Sequence, residues 1–215
     1  MIQLRLLYQI PDWIRFFYRG AIWRGDKSQK CVYLTFDDGP VPEATPHILD
    51  ILDHYGVKAT FFWVGENVSR YPALAREVIR RGHSVGNHSY HHIKGLKSGN
   101  SMYFDDIRLA DKVIQEVAGD MWREPHLFRP PYGRAKPSQR RWLAGRYRMV
   151  LWDVITHDYN PNYTPERIVR IVRRYVRNGS IILFHDSIKS KDNTLPALPK
   201  AIEWLQREGY VFKTL

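Results

Sequence analysis

The chain has a single cysteine, Cys31, among its 215 residues, so no disulfide can form within it. Stability must come from a buried core, and the length suffices for one domain with a full core. Cys31 lies in an apolar run and reads as a small buried hydrophobe. No apolar run is long enough to cross a bilayer. No signal-peptide core is evident either, because Gln9, Pro11, Asp12 and Arg15 interrupt the apolar residues near the start. The compartment is not indicated, and the default expectation is cytoplasmic or membrane-peripheral. There is no internal repeat and no low-complexity tract, which argues against a solenoid or a long disordered linker. Acidic residues are in the minority, 22 Asp and Glu against 33 Lys and Arg, for a formal charge of +11. That sign suits nucleic acid, an anionic glycan or an anionic membrane. No nucleic-acid-binding motif accompanies it, so no nucleic-acid partner is expected. Part of the charge reads as solvated helix surface, since Arg167, Arg170, Arg173, Arg174 and Arg177 fall on the outer side of one amphipathic pattern.

The first 24 residues are aromatic and basic, with Tyr8, Trp13, Phe16, Phe17, Tyr18 and Trp23. Residues 1–30 are read as an arm packed on a domain formed by residues 31–215. Trp13, Phe16, Phe17 and Trp23 are expected to bury much of their area, because exposed aromatic patches of this size are rare on soluble monomers. Peripheral membrane contact is the less favoured alternative. The oligomeric state is not indicated.

Apolar, β-branched or aromatic runs occur near Val32–Phe36, Ala59–Val64, Ser84–Gly86, Leu127–Phe128, Met149–Val154, Ile181–Phe184 and Tyr210–Lys213. Helical patterns lie between most of them, at Thr45–His54, Tyr71–Arg81, Met102–Val117, Pro137–Ala144, Pro165–Arg177 and Pro196–Arg207. Pro72, Pro137 and Pro165 sit near helix starts, where a missing N–H is tolerated. Strand–helix alternation argues for a parallel sheet or barrel.

Chemistry concentrates at the ends of these runs. Thr35-Phe36-Asp37-Asp38-Gly39-Pro40 places two adjacent carboxylates between a buried strand and a turn. Burying both is costly, because like charges repel, unless a metal ion takes one and leaves the other as a base. The alternative is an Asp-Gly turn with solvated carboxylates. Gly86-Asn87-His88-Ser89-Tyr90-His91-His92 offers two imidazoles four residues apart. On one helical turn His88 and His92 would face the same side, and His91 would point elsewhere. Two imidazoles and a carboxylate suit Zn²⁺ and similar ions and leave positions open. Arg129-Pro130-Pro131-Tyr132-Gly133 is a stiff turn after an apolar pair, and Ile181 to Asp186 is an apolar run ending in His185. Alone, Arg129 reads as a salt-bridge arginine and His185 as a structural histidine. Asp37, Asp38, His88, Arg129, Asp153 and His185 all follow the C-terminal ends of the expected strands, the face on which barrel enzymes build active sites.

Together these segments resemble the polysaccharide deacetylase family with the NodB homology domain, carbohydrate esterase family 4. The resemblance runs from about Cys31 to the C-terminus. T-F-D-D-G-P is similar to the first family motif, H-S-Y-H-H to the second, R-P-P-Y to the third and Leu183 to His185 to the fifth. It implies a single-domain α/β fold, an irregular (β/α)7-type barrel, in keeping with seven expected strands. It implies Asp37 as general base, Asp38, His88 and His92 as metal ligands, and Arg129 as the residue that holds the base. It further implies the Tyr132 backbone N–H in the oxyanion hole, His185 as general acid and Leu183 lining the acetyl pocket. The fourth motif departs from the family's D-[ST]-x-D-W. Here Trp152-Asp153-Val154-Ile155-Thr156-His157-Asp158-Tyr159 has Ile155 in place of the first aspartate and Tyr159 in place of the tryptophan. Trp152 and Asp158 are assigned to the substrate pocket. Whether Asp153 or Asp158 tunes Arg129 or His185 stays open at this level.

The implied cofactor is one divalent metal ion, Zn²⁺ first, with Co²⁺, Ni²⁺ and Mn²⁺ as alternatives. The implied partner is a glycan, of acidic type if the basic charge has a role in binding. The implied reaction is hydrolysis of an N-acetyl group on an N-acetylglucosamine-type unit. Alternatives are de-O-acetylation of a sugar ester, deacylation of a small or lipid-linked amino sugar, and a catalytically silent glycan-binding domain. A silent module has no use for Asp37 and His185 together.

Overall fold

The computed structural model describes residues 8–16, 18–122 and 124–215. Among these residues the strands are β1 (Cys31–Asp37), β2 (Thr60–Trp63), β3 (Ser84–Asn87), β4 (His126–Phe128), β5 (Tyr147–Met149), β6 (Val154–Ile155), β7 (Ser180–His185) and β8 (Val211–Phe212). They form one sheet in the order β5-β4-β3-β2-β1-β7-β6, with β8 beside β1. Every strand pair is parallel. Helices are α1 (Asp12–Phe16), α2 (Thr45–His54), α3 (Gly65–Arg70), α4 (Pro72–Arg80), α5 (Asn100–Ala118), α6 (Pro137–Leu143), α7 (Pro165–Tyr175) and α8 (Lys191–Arg207). The result is a curled, irregular (β/α)7-type barrel, as expected.

Side-chain parity along the strands separates two cores. On β1, Val32, Leu34 and Phe36 join the layer between sheet and helices, with Ile48 and Leu52 of α2 and Ile202 of α8. Cys31 and Tyr33 point the other way, toward Phe62, Leu127, Val150 and Ile181 inside the barrel. Thr35 and Asp37 share that inward parity, so the alternation that builds the core also aims Asp37 into the interior. The register pairs Asp37 with His185 on the neighbouring strand.

Three elements differ from the sequence expectation. The Met149–Val154 run divides into β5 and β6, with residues between them crossing from one edge of the sheet to the other. α3 was not foreseen, being only one and a half turns long and lacking a distinct apolar stripe. α8 starts at Lys191, and Pro196 and Pro199 lie inside it. Tertiary bonds outweigh the proline signal there. Ser190 Oγ donates to the His185 carbonyl at 2.8 Å, and Thr194 Oγ1 donates to Asp158 Oδ2 at 2.6 Å.

The described residues of the N-terminal segment, 8–16 and 18–24, lie over the gap between the edge strands β5 and β6. Ile22 N–H donates to Met149 O and Leu151 N–H to Ile22 O, both at 2.8 Å, and Gln9 bridges Val154. Covering unpaired strand edges in this way removes a template for aggregation. Of the aromatic residues expected to bury, only Trp23 does so in part, with its ring edge-on to Tyr18 at 6.0 Å. Trp13 and Phe16 are 64% and 59% exposed, and Phe17 lies outside the described residues. α1 holds on through its charge instead, and Tyr8 is the buried ring, stacked on Tyr175 with centroids 5.5 Å apart.

That charge anchors on Asp153. Its buried carboxylate accepts from Arg15 Nη2 (2.5 Å), Arg177 Nε and Nη2 (3.0 and 2.7 Å) and Ser180 Oγ (2.7 Å). Burial disfavours its charge, but the bonds from Arg177, Ser180 and Arg15 prevail and hold its pKa below the usual carboxylate range. Asp153 sits beside Ser180, the first residue of β7, whereas the cavity described below lies at His185, the last. It is therefore on the barrel face associated with stability, not on the catalytic face where the sequence placed it. Asp153→Ala is expected to cost about 3 kcal/mol, toward the low end for breaking a buried ion pair because Arg177 is a third exposed. Urea unfolding measures this. A loss below about 1 kcal/mol would show that Asp153 does not anchor the arm.

Candidate active site

A cavity of about 740 Å³ opens at the C-terminal ends of β1, β3, β4 and β7. Asp37, Asp38, His88, His92, Tyr132, Trp152, Leu183 and His185 line it, and Arg129 lies buried beneath Asp37. Asp158 is behind His185. Of the residues singled out from the sequence, Asp153 alone lies away from the cavity, and Asp158, expected in the pocket wall, is instead fully buried behind it.

Asp38, His88 and His92 offer ligand atoms that all lie within 4.8 Å of one another. Asp38 Oδ1 is 3.7 Å from His88 Nε2 and 3.3 Å from His92 Nε2. The His88 Nδ1 atom is 2.7 Å from the Arg129 carbonyl. A carbonyl only accepts, so Nδ1 carries the proton and Nε2 presents its lone pair toward Asp38. Burial and then the neighbouring His92 hold the His88 pKa well below its usual value, and burial lowers that of His92. Neutral imidazoles with lone pairs converging on a carboxylate are a donor set that fits a divalent metal.

The two histidines do not share a helical turn. Residues 88–92 form an irregular loop after β3, in which Ser89 and His92 take φ of +64° and +53°. Asp38 (+83°), Tyr132 (+61°) and His157 (+56°) complete the set of non-glycine residues at positive φ among those described. Four of the five lie in the loops that carry the site and the fifth precedes Asp158. Such strain persists only where the surroundings enforce it. α5 supplies part of that enforcement. Asp106 Oδ2 accepts from the Tyr90 and His91 N–H groups at 2.9 and 3.1 Å, and its Oδ1 binds His91 Nδ1 at 2.6 Å. Asn87 spans Asp111 (2.7 Å) and the Ser89 N–H (2.6 Å). On the other side, buried Asp186 accepts from Gly39 N–H and Thr45 Oγ1, at 2.9 and 2.8 Å, and so fixes the turn after Asp38.

Asp37 is 2% exposed and accepts from Arg129 Nη1 at 2.6 Å. Burial pushes its pKa up to about 6, against the opposing pull of Arg129. Arg129 is itself fully buried. It also donates to Thr35 Oγ1 (2.9 Å) and Leu151 O (3.1 Å), and its guanidinium lies 4.0 Å from the centre of the Phe62 ring. A guanidinium bound on several sides cannot swing, so Asp37 is held in one orientation.

Asp158, not Asp153, is the partner of His185. Asp158 Oδ1 accepts from His185 Nδ1 at 2.7 Å and its Oδ2 from the His185 backbone N–H at 2.7 Å. Burial opposes a charge on His185, but the Asp158 carboxylate overrides it and raises the pKa to about 9. Tyr159 sets its ring edge-on to His185 at 5.1 Å. Ile155, at the departed aspartate position, lines the cavity as an apolar wall. Gly133 packs so closely on Trp152 that a Cβ would come within 2.5 Å of the indole.

Asp106, Asp111, Asn87, Asp186 and Thr194 were missed by the sequence reading. Only Asp106 left a signal, as an acid within the buried stripe Tyr103, Ile107, Ala110 and Ile114 of a helical pattern.

The family model for polysaccharide deacetylase matches residues 24–148. The chain belongs to the polysaccharide deacetylase family. It is 35% identical over 198 residues to a Bacillus cereus peptidoglycan-N-acetylglucosamine deacetylase, covering 90% of each chain. It is 34% identical over 204 residues to a chitooligosaccharide deacetylase of a Bradyrhizobium species, covering 86% of this chain and 90% of that one. A crystal structure of a peptidoglycan N-acetylglucosamine deacetylase in complex with 4-naphthalen-1-yl-N-oxidanyl-benzamide superposes with a TM-score of 0.87 at 32% identity. That match covers 95% of this chain and 94% of the other. Family and fold thus agree with the motif reading, including the (β/α)7 barrel of these deacetylases.

Proposed function

We propose that this chain hydrolyses the N-acetyl group of an N-acetylglucosamine-type unit within a glycan, with one divalent metal ion, Zn²⁺ first among the candidates. The observation that carries the reading is one cavity holding a carboxylate fixed by a buried arginine, a histidine kept protonated by a buried aspartate, and three convergent ligand atoms. Relatives in the family that deacetylate peptidoglycan and chitooligosaccharides support it.

Asp38, His88 and His92 would hold the ion, which when bound supplies Lewis acidity toward water and the acyl oxygen. Asp37, ionised above about pH 6, accepts the proton of the attacking water. Arg129 keeps that carboxylate aimed. The Tyr132 backbone N–H would donate to the oxyanion, an interaction worth roughly 3–4 kcal/mol in such sites. His185 donates its Nε2 proton to the leaving nitrogen, and the Asp158 bond to Nδ1 fixes the tautomer that makes this donation possible. Leu183, Ile155 and Trp152 form the apolar wall beside the acyl group.

The test is acetate release from N-acetylglucosamine oligomers and peptidoglycan fragments, with and without a chelator. Activity lost on chelation and restored by Zn²⁺ is expected. Unchanged activity under chelation removes the metal from the reaction, and absence of release from every substrate by metal-loaded protein removes the deacetylase reading. Calorimetric metal titration provides a separate readout. Asp38→Asn is expected to weaken binding by about 10²-fold, and Asp106→Ala, acting only through the loop, by about tenfold. Equal affinities for Asp106→Ala and the unaltered protein would show that the loop needs no such brace.

A further inference from the structure

The mouth of the cavity carries Lys94, Lys97, Arg134 and Lys189, and the carboxylates among its lining residues are Asp37 and Asp38, both inside. All four cations are exposed, and they come from three separate loops, after β3, β4 and β7. Several exposed cations elsewhere sit against acids. Lys58 pairs with Asp53 at 3.0 Å, Arg70 with Glu66 at 3.1 Å, Arg108 with Asp105 at 2.9 Å and Lys200 with Glu166 at 3.0 Å. Among the described residues, no acid pairs with the four rim cations. Two of them lie on the aromatic walls instead. Lys94 Nζ is 4.9 Å from the centre of the Tyr132 ring, and Lys189 Nζ is 5.4 Å from that of Tyr159. Those contacts hold the ammonium groups at the opening without neutralising them.

A ring of like charges repels itself, and an N-acetylglucosamine unit is neutral, so the reacting sugar gives the rim nothing to bind. We propose that the rim is an anion subsite, which recognises a carboxylate or phosphate carried by a glycan unit next to the one being deacetylated. The inference rests on the deacetylase reading and names its substrate class as an anionic glycan. Positive potential focused at the mouth of a cavity raises the local concentration of such a chain. The rim also favours substrate over product. Deacetylation converts a neutral amide to an amine that takes a proton near neutral pH, and a cationic rim repels that product.

The test uses three oligosaccharides of equal length. One is a neutral N-acetylglucosamine oligomer, one carries a carboxylate on alternate units, and one carries a phosphate ester there. At low salt, kcat/KM is expected to be about tenfold higher for an anionic oligomer than for the neutral one, from several exposed charge pairs acting together. The advantage should vanish as ionic strength rises from about 0.01 M to about 1 M and the screening length contracts. Combining Lys94→Ala, Lys97→Ala and Lys189→Ala should bring the anionic-to-neutral ratio close to one, and whichever anionic arm gains more identifies the group recognised. Equal kcat/KM on all three substrates with no salt dependence would overturn the proposal. Should no substrate release acetate, the deacetylase reading falls, and calorimetric binding of the same oligosaccharides to Asp37→Asn still decides the rim. Tighter, salt-sensitive binding of the anionic oligomers sustains it, and equal affinities end it.

Discussion

Asp37→Asn is expected to lower kcat on an N-acetyl amino sugar by about 10²–10⁴-fold while leaving divalent-metal binding largely intact. The amide can still accept from Arg129 Nη1, which sits 2.6 Å from the present carboxylate, so the geometry survives. It cannot accept a proton from water. The substitution has a second consequence, because it removes the only charge bonded to a fully buried guanidinium among the described residues. Breaking one side of a buried pair costs about 3 kcal/mol or more, so a lower melting temperature should accompany the loss of turnover. Measuring turnover well below the melting transition, with metal content checked by elemental analysis, keeps the two effects apart. A kcat within tenfold of the original would remove Asp37 from the role of base. Loss of the metal together with activity would instead place Asp37 among the ligands.

His185→Ala should slow an N-acetyl substrate by about 10²–10⁴-fold and an activated acetyl ester far less. An amine leaves poorly without a proton, whereas a stabilised alkoxide needs little help. The comparison also separates N-deacetylation from de-O-acetylation of a sugar ester, for which His185 matters less. Equal losses on both substrates would make His185 a structural residue of the cavity wall. The pH profile gives a second measurement of the same pair. The base works only when deprotonated and the acid only when protonated. Activity should therefore rise through the Asp37 value of about 6 and fall through the His185 value of about 9. A cation on Asp38 favours ionised Asp37 and disfavours charged His185, so about 6 and about 9 are upper bounds for the two limbs. Asp158→Asn removes the charge that raises His185, and should move the alkaline limb down toward the ordinary histidine range near 6.5. An alkaline limb that stays at about 9 in that variant would show that another group titrates there.

Local patterns carried a large part of this far in advance. Asp37 and Asp38 were legible because a strand end, a doubled carboxylate and a Gly-Pro turn are all written within six residues. Parity along β1 then aims Asp37 inward, since Val32, Leu34 and Phe36 must face the helices. Strand–helix alternation made the barrel legible, and it put the motifs at one end of it. The geometry that brings His88 and His92 together, however, is not the one their spacing suggests. His88 and His92 converge through positive-φ turns braced by Asp106 and Asn87, and not by helical spacing.

What tertiary structure alone decided are the partnerships between distant residues. Asp153 and Asp158 are five residues apart and look alike in the chain. One faces Arg15, Arg177 and Ser180 at the start of β7, and the other faces His185 at its end. The division of Met149–Val154 into β5 and β6 separates them, and no short-range propensity encodes that break. The proline start expected at Pro196 failed for the same reason, because bonds from Ser190 and Thr194 to the site extend α8 beyond it. The arm's exposed Trp13 and Phe16 show it again, since an arginine rather than the nearest aromatic ring anchors α1. A linear sequence specifies which groups are available and which way each strand or helix turns them. Which buried charge meets which is set by how the sheet curls and where its edges are covered, because only contacts across the whole chain determine that.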